Sequence, residues 1–303
     1  MKLRTAAAAL AASLPLAADL HAQDPAALTT PLNHFYVVIP KDAYDAIRAS
    51  EFMTKVFAPF EARTTVRNDQ TYTGIYFYGR RTYFEFFEPD AQGPVGASGI
   101  ALGTDTPGHL APLEIAWKKA LGGAQRGPVT RKTETGEAPW FEMLAGQGQG
   151  PGLRLWFMEY HPAFLKDWYP ALTPARGVTR AEILDRYVAK IGGTAGRSRT
   201  RFGDVTSMTL VLDPMDRSAL LGHLRASGWA VTEGGEGRAE AVGPDSVRIL
   251  VDAEVEPKKG PRGIVGVTFA LSQSGPQVTH RFGSSVSLSL DGAQAVLRTD
   301  SRP

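Results

Sequence analysis

One order of elements recurs along this chain, and few architectures accommodate it. Leu32 to Ile39 is rich in aromatic and β-branched residues and stops at Pro40, which predicts a strand. Lys41 to Phe57 carries apolar residues at Ala43, Ile47, Phe52 and Val56, the spacing of an amphipathic helix with Asp42 as its N-cap. Three strand-like segments follow, Glu61 to Arg67, Thr71 to Tyr78 and Thr82 to Phe87, with turns at Asn68-Asp69 and Gly79-Arg80. The same β-α-β-β-β order returns in the strand Gly99 to Thr104, the helix Leu110 to Leu121 and the strands Val129 to Thr135, Trp140 to Leu144 and Leu153 to Tyr160. Gly122-Gly123 closes that helix, and Ala145 to Gly152 is a Gly- and Gln-rich loop. A third copy has the strand Val205 to Leu212, the helix Asp216 to Ala226 and the strands Trp229 to Thr232, Arg238 to Val242 and Val247 to Val251. A fourth is degenerate. Ile264 to Leu271 has no helix after it, and Val278 to Phe282, Val286 to Leu290 and Ala293 to Arg298 finish the chain, with Asp291-Gly292 expected as a hairpin turn. A repeat of this length governs the fold, which is α+β.

The chain begins Met1-Lys2-Leu3-Arg4 and continues through an apolar run from Ala6 to Ala18. Leu20 and Ala22 stand where a signal peptidase reads small and apolar residues, so a signal peptide over 1–22 is expected, and a periplasmic or secreted protein. The run is too short to span a bilayer, and no later stretch is long and apolar enough, so no membrane contact is expected after cleavage. Residues 23–30 read as a flexible leader, 31–175 as the first domain, 176–201 as a helix and linker, and 202–303 as the second domain. With 33 Lys and Arg against 31 Asp and Glu there is no nucleic-acid footprint. The chain has no Cys, so thiolate chemistry and disulfides are excluded and stability must come from core burial. No nucleophile elbow, phosphate loop or His-Glu-x-x-His run occurs.

Leu32-Asn33-His34 on the first strand and Tyr83-Phe84-Glu85-Phe86-Phe87 on the fourth give the first module a resemblance to the vicinal oxygen chelate superfamily, the glyoxalase and bleomycin-resistance fold. The run from Leu32 to Pro89 is similar to a group of exported bacterial proteins with no assigned activity. The resemblance implies paired βαβββ modules, each pair forming an open eight-stranded cup, in two domains of which the second is degenerate. It also implies a metal held by a first-strand His and fourth-strand Glu, which maps onto His34, Glu85 and Glu159. The first strand of the second module departs from this pattern, since its ligand position falls near Leu102 or Gly103.

Strand alternation puts His34 on a face with Leu32, Tyr36 and Val38, and Glu85 with Tyr83 and Phe87. A charge on an apolar face needs a partner or a metal. One divalent ion, zinc or manganese before iron, suits such a set. His161, two residues beyond Glu159, is a fourth ligand, a rim acid/base or a solvated rim residue. Tyr72, Tyr76 and Tyr78 share one strand face and, with Phe84 and Phe86, line an aromatic cup or pack the sheet; Arg67 at the mouth suits an anionic group. Three functions stay open: a metal-dependent lyase, isomerase or dioxygenase-type enzyme acting on a small oxygen-rich substrate, a metal-free protein sequestering a small-molecule ligand, and an exported scaffold.

Overall fold

The aromatic and β-branched runs pair into two sheets. The structure, a computed structural model, describes residues 28–133, 136–146, 152–169, 177–192, 199–253 and 262–299. The expected signal peptide and its cleavage point lie outside them, as does most of the Gly- and Gln-rich loop. No described helix is long and apolar enough to cross a membrane.

The first sheet contains β1 (Leu32–Val38), β2 (Phe60–Val66), β3 (Thr71–Tyr78), β4 (Tyr83–Phe87), β5 (Ser98–Leu102), β6 (Ala124–Thr133), β7 (Gly136–Gly146) and β8 (Leu153–Tyr160). Its order is β2-β3-β4-β1-β5-β8-β7-β6. Read outward from the centre, β1-β4-β3-β2 is repeated as β5-β8-β7-β6. β1 and β5 are antiparallel, whereas β1 with β4 and β5 with β8 are parallel. The sheet curls until Arg67 beside β2 bridges Arg131 on β6, which brings the two edges together at one end. The second sheet has six strands in the order β10-β11-β12-β9-β13-β14. These are β9 (Phe202–Leu212), β10 (Ala230–Glu233), β11 (Ala239–Val242), β12 (Arg248–Ala253), β13 (Gly263–Phe282) and β14 (Val286–Thr299). The fold is therefore α+β with paired βαβββ modules, complete in the first sheet and reduced in the second.

The helices are α1 (Lys41–Ala49), α2 (Leu110–Leu121), α3 (Pro162–Trp168), α4 (Arg180–Gly192) and α5 (Pro214–Ala226). The first is shorter than its apolar spacing predicts. It stops at extended Ser50, and Phe52–Phe57 forms a separate π-helical turn. Asp42 is not its cap; it lies in the first turn and accepts a hydrogen bond from the Ser284 amide. The expected turn at Asp291-Gly292 is also not a turn. Gly292 pairs with Gly275 inside the hairpin, and the chain reverses between Phe282 and Val286, where Gly283 takes a φ of +56°. Asp42 crowds Gly283, with 2.5 Å between its Oδ2 and a hypothetical Cβ, so this turn has room only for glycine.

The two sheets share one core. Phe84 lies 6.4 Å from Phe57, 5.5 Å from Phe202 and 5.2 Å from Phe269, ring centre to ring centre. Phe84 and Phe86 thus belong to the packed face of the first sheet and do not line the cup. The opposite, concave face is half filled by α3 and α4. Tyr187 of α4 stacks on Tyr78 at 5.9 Å and meets Trp168 of α3 at 4.7 Å. Arg180, at the start of α4, is buried. It forks onto both oxygens of Asp105, donates to the Leu32 carbonyl and pairs with Asp245, 3.1 Å away in the loop between β11 and β12. Before β1, Thr30 is buried and donates to the Ser227 carbonyl, while Trp229 donates to the Thr30 carbonyl. The end of the expected flexible leader is therefore docked.

Candidate functional site

The open half of the concave face holds a cavity of about 530 Å³. Strand alternation decides what enters it. On β5 the inward residues are Gly99 and Ala101, the two smallest available, so the floor is lowest along the centre of the sheet. A Cβ on Gly99 would stand 2.2 Å from the Tyr36 ring and 2.7 Å from the Trp156 ring. Gly99→Ala is therefore expected to cost about 1–3 kcal/mol by overpacking, read from thermal unfolding; an unchanged midpoint would contradict this packing.

Two registered rows cross the floor. In one, Glu61, Tyr76, Glu85, Tyr36, Gly99 and Arg154 are successive partners from β2 to β8. In the other, Tyr78, Tyr83, His34, Ala101 and Trp156 are partners from β3 to β8. His34 stacks on Tyr83 at 4.3 Å and meets Trp156 edge-on at 5.3 Å across the small Ala101. A bulge at Asn33 breaks the β1 register and turns Leu32 to the packed face, so Leu32 does not share a face with His34.

His34 and Glu85 meet as the sequence pattern suggests, with Nε2 3.7 Å from Oε1 and both side chains under 10% exposed. His34 Nδ1 lies 2.8 Å from Asn33 Oδ1. An amide oxygen only accepts, so this contact puts the ring proton on Nδ1 and leaves the Nε2 lone pair facing Glu85. The distance is that of an ion pair, but the environment does not support one. Burial pulls the His34 pKa down to about 3. Burial pushes Glu85 up to about 8, against the opposing pull of Arg63, the Tyr83 hydroxyl and Arg67. At neutral pH the pair is thus a neutral acid beside a neutral base. It can give and take one proton without leaving a net charge in the cavity.

The other candidate ligands do not join them. Along β8, Leu153, Leu155 and Phe157 face the packed side, and Glu159 follows that phase. Its carboxylate accepts from the amides of Gly108, His109 and Leu110, at the start of α2. That is a helix N-terminal cap, where the backbone dipole favours negative charge. His161 caps α3, its Nδ1 accepting from the Ala163 amide. On β5 and β8 the positions that face the cavity carry Gly99, Ala101, Arg154, Trp156 and Met158, none a metal donor. Among the described residues no group of three or more His, Asp or Glu could hold a metal ion. The donors present do not fit the three-ligand set that an open metal centre needs.

Tyr72 and Arg67 line the cavity as expected. Tyr76 and Tyr78 face the same way but lie deeper. Arg63 covers Tyr76 at 4.2 Å, Tyr187 covers Tyr78, and neither tyrosine is part of the lining. Arg63 and Arg67 are both held by acids, Glu61 at 3.0 Å and Asp69 at 2.7 Å. Arg154 and Trp156 are among the lining residues that pattern reading passes over. Arg154 carries a signal, a charge inside an apolar strand between Leu153 and Leu155.

A solved hypothetical protein from Staphylococcus aureus is similar in fold, with a TM-score of 0.50 at 8% identity over 83% of this chain and 95% of that one. Weaker likenesses include a substituted 4-hydroxymandelate synthase from Streptomyces coelicolor, with a TM-score of 0.37 at 15% identity over 74% of this chain and 63% of that one. Another is a halotolerant catechol dioxygenase, with a TM-score of 0.41 at 12% identity over 79% and 69%. No curated protein matches the chain. Residues 32–298 match the model of the family described as "Family of unknown function (DUF5829)", and the chain belongs to that family.

Proposed function

We propose that this protein binds a small organic molecule in the cup of its first sheet, in a fold of the vicinal oxygen chelate type, and that it does so without a resident metal ion. The observation that carries the reading is the floor of the cavity. His34 and Glu85 are both neutral there, and three guanidiniums, Arg63, Arg67 and Arg154, line the same space, Arg63 paired with Glu61 and Arg67 with Asp69. That field repels a divalent cation, and the two donors lack a third. The aromatic walls, Tyr36, Tyr72, Tyr83, Phe141 and Trp156, supply the flat apolar surface that small ligands bury. The basic and apolar leader at 1–22 supports a place of action outside the cytoplasm.

The test is calorimetric titration of the mature chain with zinc, manganese and iron(II), beside thermal unfolding with and without a chelator. The expected result is no stoichiometric metal uptake and an unchanged midpoint, with a panel of small aromatic compounds raising the midpoint in metal-free buffer. One metal per chain, lost in His34→Ala while the fold is kept, overturns the reading.

A further inference from the structure

Two buried polar atoms on residues that line the cup, the Tyr36 hydroxyl and the Trp140 indole nitrogen, have no hydrogen-bond partner among the described residues, and both can donate. A buried orphan donor marks a place where an acceptor is missing. Arg154 adds a charge of the same preference. Arg63 and Arg67 are compensated by Glu61 and Asp69, but among the described residues Arg154 has no carboxylate within ion-pair distance. Among the described residues the cavity thus holds one uncompensated positive charge.

The row of partners fixes where that charge lies. Glu85, Tyr36, Gly99 and Arg154 are successive across four adjacent strands. Strands are about 4.8 Å apart, so the Glu85 and Arg154 backbones are separated by roughly 14 Å. Gly99 contributes no side chain, and the Tyr36 ring lies across it toward β8. Burial pushes the Tyr36 hydroxyl up to about 12, and the Arg154 charge pulls against it. At the other end of the row stand Glu85 and the His34 Nε2 lone pair, flanked by the Tyr83 ring.

We infer that the ligand is an organic monoanion, a carboxylate on a flat unsaturated body, held with its carboxylate at Arg154 and the Tyr36 hydroxyl and with an acceptor oxygen toward Glu85. The inference rests on the ligand-binding reading above and adds its chemical class. One free guanidinium matches one carboxylate, through the planar fork that binds two oxygens. The Tyr36 and Trp156 rings provide the stacking surface, and the low floor over Gly99 and Ala101 admits a planar body.

The experiment compares three probes of one shape on the mature chain: 4-acetylbenzoate, 4-acetylbenzamide and 4-acetylbenzylamine. Binding is read by calorimetry and by thermal shift. The benzoate is expected to bind at least 10-fold more tightly than the amide, and the ammonium compound most weakly. Arg154 is exposed, so Arg154→Gln is expected to fold normally, to weaken the benzoate 10-fold or more and to leave the amide unchanged. Tyr36→Phe is expected to weaken the benzoate 3- to 10-fold. Equal or tighter binding of the amide or ammonium probe, or no effect of Arg154→Gln on the benzoate, overturns the inference and leaves the binding reading standing. Silence from all three probes counts against the inference, and silence together with stoichiometric metal uptake counts against both.

Discussion

Replacing Arg180 by alanine is expected to destabilise the fold by about 3–5 kcal/mol, the cost of breaking a buried ion pair from one side. The guanidinium is 3% exposed and ties three parts of the chain together: β1 through the Leu32 carbonyl, the loop before α2 through Asp105, and the second sheet through Asp245. The Asp245 side chain is 8% exposed and already has one buried oxygen without a partner among the described residues. Removing Arg180 leaves that carboxylate uncompensated in a low-dielectric interface. Arg180 also holds Asp105 below the usual carboxylate range, against the burial that would raise it. The change should lower the thermal midpoint by roughly 6–20 °C, given about 2–4 °C per kcal/mol for a domain of this order of size. Arg180→Lys keeps the charge but loses the two-pronged contact with Asp105, so it should fall between the two. In a double-mutant cycle, Asp245→Asn should cost much less in the Arg180→Ala background than alone. A loss under about 1 kcal/mol in Arg180→Ala would show that the sheets do not depend on this link.

The His34–Glu85 pair should shape stability against pH from both sides. His34 titrates at about 3 in the folded chain and near 6.5 when unfolded. Between those values the unfolded chain binds the extra proton, so stability rises with pH. Glu85 titrates at about 8 when folded and near 4.5 when unfolded. Between those values the folded chain binds the extra proton, so stability falls as pH rises. The two slopes oppose one another from 4.5 to 6.5 and cancel. Below 4.5 the His34 slope stands alone, and above 6.5 the Glu85 slope does, each about 1.4 kcal/mol per pH unit. Glu85→Gln removes the alkaline limb. At pH 9 it should be more stable than the parent by on the order of 4 kcal/mol, with little difference at pH 4.5. Urea unfolding at these pH values reads the effect, and a variant less stable than its parent at pH 9 would rule out a neutral acid at this position.

The sequence carries the first module well because its signals are local. Leu32 to Ile39 and Thr82 to Phe87 are short aromatic runs with one polar residue on an apolar face, and alternation alone brings His34 and Glu85 to the same side. Glu159 fails for the same reason that Glu85 succeeds. β8 carries large apolar residues on both faces, with Leu153, Leu155 and Phe157 on one and Trp156 and Met158 beside Arg154 on the other, so their alternation does not say which side is the cup. Its phase is set by pairing with β5, a long-range fact. Tyr76 and Tyr78 are on the expected face but are covered by α4, whose return across the cup no strand pattern foretells. The hairpin turn was misplaced because Asp291-Gly292 has the composition of a turn, while Gly283 is confined by Asp42, a residue from the far end of the chain.

The cup floor holds a neutral acid beside a neutral base rather than a charged, metal-ready pair. Carbon-13 NMR titration of the Glu85 side-chain carboxyl, assigned by its loss in Glu85→Gln, measures this directly. The expected midpoint is near 8, with the carboxyl protonated at neutral pH. A midpoint near the ordinary 4.5, with Glu85 already ionised at neutral pH, would contradict it.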